Sequence, residues 1–519
     1  MGVVSHTMRP ARLLLIVAAG VLTGGVAFPA GAQRGPGSVL IVNATVYDGT
    51  GAPGRQANVR VVKGVITQVG ALAARATERV IDAGGLALAP GFIDTHSHHD
   101  RGLDVHRGAL AVVSQGVTTI VAGQDGGSRH PLAPWFATLE RNPVAVNVAS
   151  YVGHGTLRTS VLGGDFRRAA TDGEVVRMRA RLREDLAAGA LGLSSGLEYD
   201  PGIYSTTSEL VALARDAAAV GGRYISHVRS EDRDFWKAID EIITIGRDAQ
   251  LPVQVSHVKL GMRSLWGEAD SLLHVLDRAR AAGVNVTADI YPYAYWQSTL
   301  TVLFPSRDFE NRASAEFALN EVSSPEGLLL SAFTPDPSYV GKTVAEIATL
   351  RGTDPATTLM ALVHESQRAP RTAGGAESVI GTSMDERDIA RLLAWPWANI
   401  CSDGELDGRH PRGFGSFPRV LGRYVRERQV IPLAEAIRKM TSLAAANVGL
   451  VGRGTIAPGQ AADLVLFDPV TVLDVATPTA PRETSRGIHT VWVNGVVVYA
   501  GGSVTGAHPG RVLRRAAAQ

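Results

Sequence analysis

The stretch Gly91-Phe92-Ile93-Asp94-Thr95-His96-Ser97-His98 joins an apolar run to two histidines that stand one residue apart. The apolar run favours a buried β-strand, and alternate side chains of a strand point to the same face. His96 and His98 are therefore expected to project together at the strand end, about 7 Å apart along the backbone. The pattern predicts that both imidazoles bind one metal ion; the alternative is two unrelated polar residues at a strand end.

Residues 89–446 continue with short apolar strands that alternate with amphipathic helical patterns, such as those of 208–220 and 269–282. Repeated strand–helix units predict a parallel (β/α)8 barrel. A doubly wound sheet is the weaker alternative, because no glycine-rich nucleotide fingerprint follows the first strand. Between residues 300 and 378 the repeat gives way to polar, proline-bearing helical sequence, which predicts an inserted lid subdomain over the barrel mouth.

Short β-strand patterns flank this region on both sides. They occupy residues 37–88, where Gly64 and Gly70 separate them, and return within residues 447–512. Two β-rich ends predict one small β-sandwich domain built from both ends of the chain, with two separate domains as the alternative. The predicted fold class is therefore α/β: a TIM-like barrel, a composite β-domain and an inserted lid.

Composition excludes several functional classes. The 519 residues are 45% apolar and 19% charged, which is typical of a globular protein. A net charge of +2 gives no surplus that would favour nucleic acid or an anionic membrane surface as a partner. Cys401 is the only cysteine, so an intrachain disulfide and a thiolate cluster are both impossible. Any metal must be bound by histidines and carboxylates.

The first 32 residues have the pattern of a secretory signal. Arg9 and Arg12 precede an apolar stretch at residues 13–28, and Ala30-Gly31-Ala32 matches a cleavage site. We expect a periplasmic or secreted mature protein without stable membrane insertion; the alternative is an uncleaved N-terminal anchor. Cleavage after residue 32 would remove two arginines and no acid, which leaves the mature chain without net charge.

Ionisable side chains recur at the predicted strand ends. In a barrel of this kind, the carboxyl ends of several strands contribute to one active site. Imidazole and carboxylate together suit zinc and related ions, whereas calcium prefers oxygen ligands alone. The candidate metal ligands and their neighbours are His96, His98, Asp125, Glu198, His227, His257 and Asp403.

Eight stretches, in this order, extend the signal over nearly the whole mature chain: 91–98, 116–119, 196–204, 222–229, 254–259, 291–293, 402–404 and 410–412. Together they resemble the amidohydrolase superfamily and, within it, the D-aminoacylase (N-acyl-D-amino-acid deacylase) family. The resemblance implies a metal-dependent enzyme with one or two zinc ions per subunit. It also implies hydrolysis of the amide bond of N-acyl-D-amino acids to a carboxylate and a D-amino acid.

The resemblance also implies roles for single residues. His96 and His98 match the first metal-ligand pair of the family, and His227 and His257 match the histidines of the second, usually tighter, zinc position. Asp403 matches the aspartate that orients the attacking water and transfers its proton. A carboxylate beside an activated water can accept a proton and return it to the leaving amine.

The turn Gly123-Gln124-Asp125-Gly126 departs from the family pattern Gly-Asn-Cys-Gly, in which the cysteine binds metal. Asp125 stands at the cysteine position, where a carboxylate could bind zinc or bridge two ions. The alternative is that Asp125 only forms the turn beside Gly126. Glu198 is the other candidate bridge, and its alternative role is a hydrogen bond to a histidine ligand.

A substrate α-carboxylate needs a cation and hydroxyl donors near the metal. Lys259 and Tyr291 match family positions with this task. The alternative for Lys259 is a surface salt bridge, and the alternative for Tyr291 is packing in the core. Arg412 and Arg419 are further candidates, and for each the alternative is a structural ion pair. His154 belongs either to the site or to its own loop. The expected partner is a small N-acyl amino acid or a dipeptide.

Two other functions stay open. The first is another amidohydrolase activity, on cyclic amides as in hydantoinases or on D- or iso-linked dipeptides. A carbamylated bridging lysine would favour the cyclic-amide type, and no lysine stands at a suitable strand end. The second is a non-catalytic periplasmic binding protein, against which the four histidines and Asp403 argue. The oligomeric state is left open.

Overall fold

The computed structural model describes residues 1–2, 37–370 and 375–516. Almost all of the predicted secretory signal lies outside the described residues. In the described part of the chain, no helix is both long and apolar enough to cross a membrane. The chain divides into a unit of residues 1–33 and a unit of residues 34–519, and the structure reported below belongs to the second.

The strands of the described residues are β1 (Ser38–Val46), β2 (Arg55–Val62), β3 (Val65–Gly70), β4 (Arg79–Asp82), β5 (Ala87–Pro90), β6 (Phe92–Asp94), β7 (Val117–Ala122), β8 (Asn147–Ser150), β9 (Val152–Gly153), β10 (Gly192–Gly196), β11 (Arg223–His227), β12 (Val253–Val255), β13 (Val286–Ile290), β14 (Tyr295–Ser298), β15 (Leu328–Phe333), β16 (Glu377–Thr382), β17 (Ala398–Ile400), β18 (Leu464–Phe467), β19 (Ile488–Val493), β20 (Val496–Ala500) and β21 (Ser503–Val504).

The α-helices of the same residues are α1 (Leu110–Val113), α2 (Leu132–Arg141), α3 (His154–Leu162), α4 (Asp172–Ala187), α5 (Thr207–Ala218), α6 (Phe235–Ala249), α7 (Ala269–Ala281), α8 (Arg312–Phe317), α9 (Val344–Arg351), α10 (Pro355–Arg368), α11 (Glu386–Ala394), α12 (Arg412–Arg419), α13 (Leu433–Met440) and α14 (Ser442–Val448). Single turns of 3₁₀-helix occur at Gly202–Tyr204, Arg263–Leu265, Leu300–Leu303 and Pro337–Tyr339, and π-helical stretches at Ala318–Val322 and Val420–Glu427.

The parallel strands of the middle region stand side by side in chain order. β6, β7 and β8 form one run, and β9 to β13 with β17 form the next. β8 and β9 are separated only by Tyr151, so they act as two halves of one strand and the row has eight members. Backbone hydrogen bonds of 2.9 Å from Asp403 to His96 and from His98 to Gly404 link the end of the last strand to the first. The strand ends that carry the candidate ligands therefore meet at one place.

Burial explains why these segments form strands and helices. β7 is buried along its whole length, because a barrel strand faces the interior on one side and the surrounding helices on the other. α6 buries Ile239, Ile242 and Ile245 on one side, at the spacing that places side chains on one helix face. The alternation of such strands and helices positions the loops of the site at the carboxyl ends of the strands.

One nine-stranded sheet contains strands from both ends of the chain. β5 pairs with β1 on one side and with β18 on the other, so residues 38–90 and 464–504 share hydrogen bonds directly. At the far edge, the Ile66 N–H donates to the Gln460 carbonyl at 2.9 Å, just before β18. The sheet therefore curls around a common core that includes Val59 and Trp492.

A separate three-stranded sheet is formed by the chain between β13 and α11. β14 pairs with β16, and β16 pairs with β15, all antiparallel, and α8, α9 and α10 accompany them. The helical sequence of residues 300–378 is thus framed by two strands that pair with each other across the segment. His410 bonds the Tyr295 carbonyl at 2.9 Å, which ties this sheet to the loop after β17.

Candidate metal centre

His96 and His98 converge with two carboxylates in a first group. β6 ends at Asp94, earlier than predicted, yet the two rings still face the same place, with centroids 5.5 Å apart. Their Nε2 atoms lie 3.3 and 3.1 Å from Asp125 Oδ2, and 3.5 and 3.4 Å from Asp403 Oδ1. The donor atoms of these four residues all lie within 4.8 Å of one another, a spacing that can hold a metal ion.

His227 and His257 form a second group with the same aspartate. His227 is the last residue of β11, and His257 follows β12 by two residues. His227 Nδ1 lies 3.0 Å from His257 Nε2, which in turn lies 3.4 Å from Asp125 Oδ1. Two ring nitrogens and one carboxylate oxygen that face each other in a buried site offer three ligand atoms to a second ion.

Asp125 belongs to both groups, and its surroundings fit a metal. Its Oδ1 is buried and accepts no hydrogen bond from the described residues. Burying an ionised carboxylate oxygen without a hydrogen-bond donor costs free energy, and a cation bound to this atom would offset that cost. The carboxylates raise the pKa of His98 and of His227 to about 9, although burial by itself disfavours the charged imidazole. The centre therefore attracts positive charge.

Three site residues have left-handed backbone conformations, which cost roughly 1–3 kcal/mol each for residues other than glycine. The φ angles are 52° for Asp125, 34° for His257 and 50° for Asp403. Neighbouring groups hold them: the His257 N–H donates to the buried Asp289 at 2.5 Å, and the Asp403 N–H donates to the His96 carbonyl. At these three positions, the left-handed backbone sets the direction in which each side chain leaves the chain.

Glu198 lies on the far side of the His227 ring from the second group. Its Oε2 accepts a 2.9 Å hydrogen bond from His227 Nε2, whereas Nδ1 is the nitrogen that faces His257. A carboxylate on the opposite nitrogen fixes the tautomer and orientation of the ring. This hydrogen bond corresponds to the alternative role for Glu198. Its carboxylate also lies within 4.8 Å of ligand atoms of His227 and Glu231, a group that could itself hold an ion, so the role of Glu198 as a metal ligand stays a prediction.

The sequence predictions missed two neighbours of the histidines. Glu231 Oε1 lies 3.2 Å from His257 Nδ1 and 2.5 Å from Lys259 Nζ. The Tyr199 hydroxyl lies 3.2 Å from His227 Nδ1. Both residues are in loops, where no periodic pattern signals direction. The position of Tyr199 directly after Glu198 was the one available signal.

The predicted substrate-binding residues line one cavity beside the second group, of about 540 Å³ including the space that opens to solvent. Lys259 Nζ and Arg412 Cζ lie 5.8 and 4.9 Å from the centroid of the Tyr291 ring. The Tyr291 hydroxyl is buried and has no hydrogen-bond partner among the described residues. Arg412 Nη1 also lies 2.7 Å from Asp403 Oδ2. The apolar part of the wall consists of Trp296, Val302, Leu303 and Val322.

Two weaker candidates are structural instead. His154 is fully buried and bonds Glu209 at 2.8 Å, and the same carboxylate receives Arg158. Arg419 pairs with Asp474 at 3.0 Å and donates to the Pro292 carbonyl at 2.7 Å. Neither side chain lines the cavity, so both residues take the alternative roles: His154 packs among its neighbours, and Arg419 forms a structural ion pair.

Comparisons with known proteins give a consistent result. The amidohydrolase family model matches residues 79–323 and 336–499. A D-aminoacylase from Alcaligenes xylosoxydans xylosoxydans is 37% identical over 511 residues, which cover 93% of this chain and 99% of that protein. A crystal structure of D-aminoacylase matches with a TM-score of 0.82 and 37% identity, over 92% of this chain and 99% of the other.

A second solved structure is an N-acyl-D-glutamate deacylase from Bordetella bronchiseptica, complexed with zinc and a phosphonate inhibitor that mimics the tetrahedral intermediate. It matches with a TM-score of 0.82 and 36% identity, and the match covers 92% of this chain and 99% of the deacylase chain. The similarity therefore includes both the barrel and the terminal sheet.

Proposed function

Because the chain belongs to the amidohydrolase family and is a D-aminoacylase-type hydrolase of N-acyl-D-amino acids, we propose that it uses zinc held at the barrel mouth. The observation that carries this proposal is the convergence of two histidine pairs on Asp125, with Asp403 beside the first pair. His96 and His98 would hold one ion, and His227 and His257 a second. The zinc in the related N-acyl-D-glutamate deacylase supports the choice of metal.

Asp403 is the proton-transfer group of the proposed mechanism. When bound, zinc supplies Lewis-acid chemistry that activates water and polarises the acyl carbonyl. Arg412 holds Asp403 Oδ2, so Oδ1 is the oxygen that faces the centre. Asp403 Oδ1 takes a proton from the attacking water and returns it to the amine nitrogen of the departing D-amino acid. The products are a carboxylic acid and a free D-amino acid.

The cavity beside the second histidine pair receives the amino-acid half of the substrate. Lys259 and Arg412 provide two cations there, and the Tyr291 hydroxyl provides a donor that is not otherwise engaged. Charge-assisted hydrogen bonds from these groups would bind the α-carboxylate. With the carboxylate held at a fixed place, the amide bond lies toward Asp403 and the metal ligands, where the chemistry takes place.

A substrate screen tests the proposed function. Purified protein is assayed with matched N-acyl-D- and N-acyl-L-amino acids, D-containing dipeptides and hydantoins, with added zinc and with chelator. We expect hydrolysis of the N-acyl-D-amino acids, its loss after chelation and its return with zinc. Activity confined to L-substrates would contradict the stereochemistry, and full activity in chelator would contradict the metal.

Lys259 argues against the cyclic-amide alternative. A carbamylated bridge requires a lysine, and among the described residues Lys259 is the lysine that contacts a histidine of the two groups. Its Nζ contacts Glu231 at 2.5 Å and His257 Nδ1 at 2.8 Å, which is the side of that ring turned away from Asp125. It therefore does not lie between the two histidine pairs, where a bridge must be.

We also propose that the protein is exported to the periplasm or secreted. The positively charged start, the apolar stretch and the small-residue cleavage pattern of residues 1–32 support this proposal. Cell fractionation followed by N-terminal sequencing tests it, with a mature chain that starts at Gln33 as the expected result. A cytoplasmic protein that retains Met1 would contradict it.

A further inference from the structure

The carboxylate of Asp125 presents one oxygen to each histidine pair. Oδ2 lies 3.3 and 3.1 Å from the Nε2 atoms of His96 and His98, and Oδ1 lies 3.4 Å from His257 Nε2. We propose that Asp125 bridges two divalent ions, one at each pair. Its carboxylate then makes the centre prefer metals that favour oxygen ligands over metals that favour thiolate ligands. The proposal rests on the proposed function, because it takes both histidine pairs as metal ligands.

The hydrogen bonds of Asp125 exclude the simpler role of a turn former. An aspartate that stabilises a turn accepts a hydrogen bond from a backbone N–H one or two residues further on. Both hydrogen bonds of this carboxylate, within the described part of the chain, go to imidazole nitrogens instead. The side chain therefore serves the centre and not the turn.

The backbone around Asp125 holds the carboxylate in this direction. Its φ of 52° is left-handed, a conformation that aspartate tolerates better than most residues. The chain passes very close to its neighbours here: a Cβ on Gly196 would lie 2.2 Å from the Asp125 carbonyl oxygen, and one on Gly123 would lie 2.2 Å from the Tyr151 carbonyl oxygen. Glycine at both places lets the turn approach the adjacent strands, and this close packing fixes the backbone from which the carboxylate projects.

Among the described residues, Asp125 is the one carboxylate that belongs to both histidine groups. Glu198 meets the far nitrogen of His227, and Lys259 is paired with Glu231. The Cys401 thiol is buried and donates to Asp289 at 3.2 Å. All ligand atoms of the two groups are thus imidazole nitrogen or carboxylate oxygen. Such a set suits Zn²⁺, Mn²⁺ and Co²⁺, whereas a thiolate would favour softer ions.

Manganese titration of the metal-free protein tests the bridge without any substrate. We expect two Mn²⁺ per chain by elemental analysis, and an exchange-coupled pair in the electron paramagnetic resonance spectrum. D125N keeps the size and the left-handed backbone but offers one carbonyl oxygen in place of two. It should lose the coupling and bind the second ion about 100-fold more weakly or worse, since even outer partners of ligands contribute about 10- to 100-fold.

A second variant and a control complete the test. D125C should raise the affinity for Cd²⁺ relative to Mn²⁺ by about tenfold or more, and should add a sulfur-to-metal charge-transfer band. D232N is the matched control, because Asp232 lines the same cavity but bonds Ser230 and belongs to neither histidine group; it should keep both ions. Thermal melting shows that each variant is folded.

Several results would overturn the bridge. These are a wild type that binds a single Mn²⁺, a D125N variant that keeps two coupled ions with unchanged affinities, or a D125C variant with an unchanged metal preference. Each of them leaves the hydrolysis of N-acyl-D-amino acids untouched. Conversely, two coupled ions in a protein that hydrolyses no N-acyl-D-amino acid would support the bridge and contradict the proposed function.

Discussion

Arg412 and Lys259 each hold a carboxylate of the protein before any substrate is present. Burial disfavours charge on Asp403 and on Lys259, yet Arg412 holds the pKa of Asp403 well below its usual range, and Glu231 raises the pKa of Lys259. Both groups are therefore charged at neutral pH. A substrate carboxylate must share the two cations with Asp403 and Glu231, so binding and proton transfer are coupled at the level of single residues.

Asp403→Asn removes the proton acceptor and keeps the shape of the side chain. We expect kcat to fall by about 100-fold or more, because proton transfer by a positioned group contributes about that much. Metal content, measured by elemental analysis, should stay at the wild-type level. Loss of metal from this variant would instead make Asp403 chiefly a ligand. D232N, in the same cavity, should keep the wild-type metal content.

Tyr291→Phe separates substrate binding from stability. The Tyr291 hydroxyl has no partner among the described residues, so its removal should change the free energy of unfolding by no more than about 0.5 kcal/mol. KM should rise by about tenfold, the worth of one hydrogen bond to a charged group. Denaturant titration and steady-state kinetics measure the two quantities.

Tyr293→Phe is the matched control for this prediction. The Tyr293 hydroxyl donates to Asp474 at 3.3 Å and lies away from the cavity wall. We expect this variant to lose about 1 kcal/mol of stability at an unchanged KM. A raised KM in Tyr293→Phe and an unchanged KM in Tyr291→Phe would show that Tyr291 does not bind the substrate.

At the scale of elements, the inserted sheet contributes directly to the site. Trp296, Gln297 and Ser298 of β14 line the substrate cavity, although this strand lies outside the row of parallel strands. β16 holds β14 in place, and its first residue, Glu377, accepts a 2.9 Å hydrogen bond from the Leu300 N–H. The insertion therefore shapes the pocket, while the parallel strands carry the metal ligands.

Glu377→Gln tests the stability of this element as a function of pH. Burial raises the pKa of Glu377 to about 7, so the folded state binds a proton that the unfolded state releases near pH 4 to 5. The Glu377 carboxyl should therefore make the wild type lose stability as pH rises from about 4.5 to 7, and glutamine should remove this contribution. At pH 8 the variant should be more stable by about 2–3 kcal/mol.

Thermal or denaturant unfolding over that pH range measures the effect. Glu316, on the exposed face of α8, is the control, because Glu316→Gln should leave the pH dependence as it is in the wild type. Parallel stability curves for the wild type and E377Q would show that the buried carboxyl does not titrate in this window.

At the scale of the whole molecule, one buried carboxylate joins the terminal sheet to the barrel. Asp463, directly before β18, accepts hydrogen bonds from Asn147 of the barrel strand β8 at 3.0 Å and from the Asn494 N–H at 2.7 Å. Arg453 pairs with the same carboxylate. The two parts of the fold are therefore fastened by a desolvated polar network and not only by apolar contact.

Asp463→Ala should lower the free energy of unfolding by about 3–5 kcal/mol, because it leaves Arg453 buried without its counter-charge. Denaturant unfolding measures this loss. Asp270→Ala is the comparison, since Asp270 pairs with Arg391 on the surface and should cost less than about 1 kcal/mol. Equal losses in the two variants would show that the network does not fasten the domains.

The family, the α/β fold class and the amide-hydrolysing activity follow from the sequence, and the comparisons confirm them. The family and the activity rest on the resemblance of eight stretches, whereas the fold class rests on the alternation of strands and helices, whose carboxyl strand ends meet in a barrel. His96 and His98 face the same place although β6 ends before them, at Asp94. Because strand ends gather at one edge of a barrel, the sequence also predicts that Asp125, His227, His257 and Asp403 lie near one another.

Only the tertiary structure decides which carboxylate oxygen contacts which histidine or lysine nitrogen. Glu198 faces the outer nitrogen of His227, and Glu231 reaches Lys259 from a loop without any pattern. The two oxygens of Asp125 point to different histidine pairs, and the backbone of its turn packs closely against Gly153 and Gly196 of neighbouring strands. The sequence by itself determined the chemistry of the ligands and the edge of the barrel where they gather. Their division into two groups around one carboxylate depends on side-chain directions that long-range packing imposes.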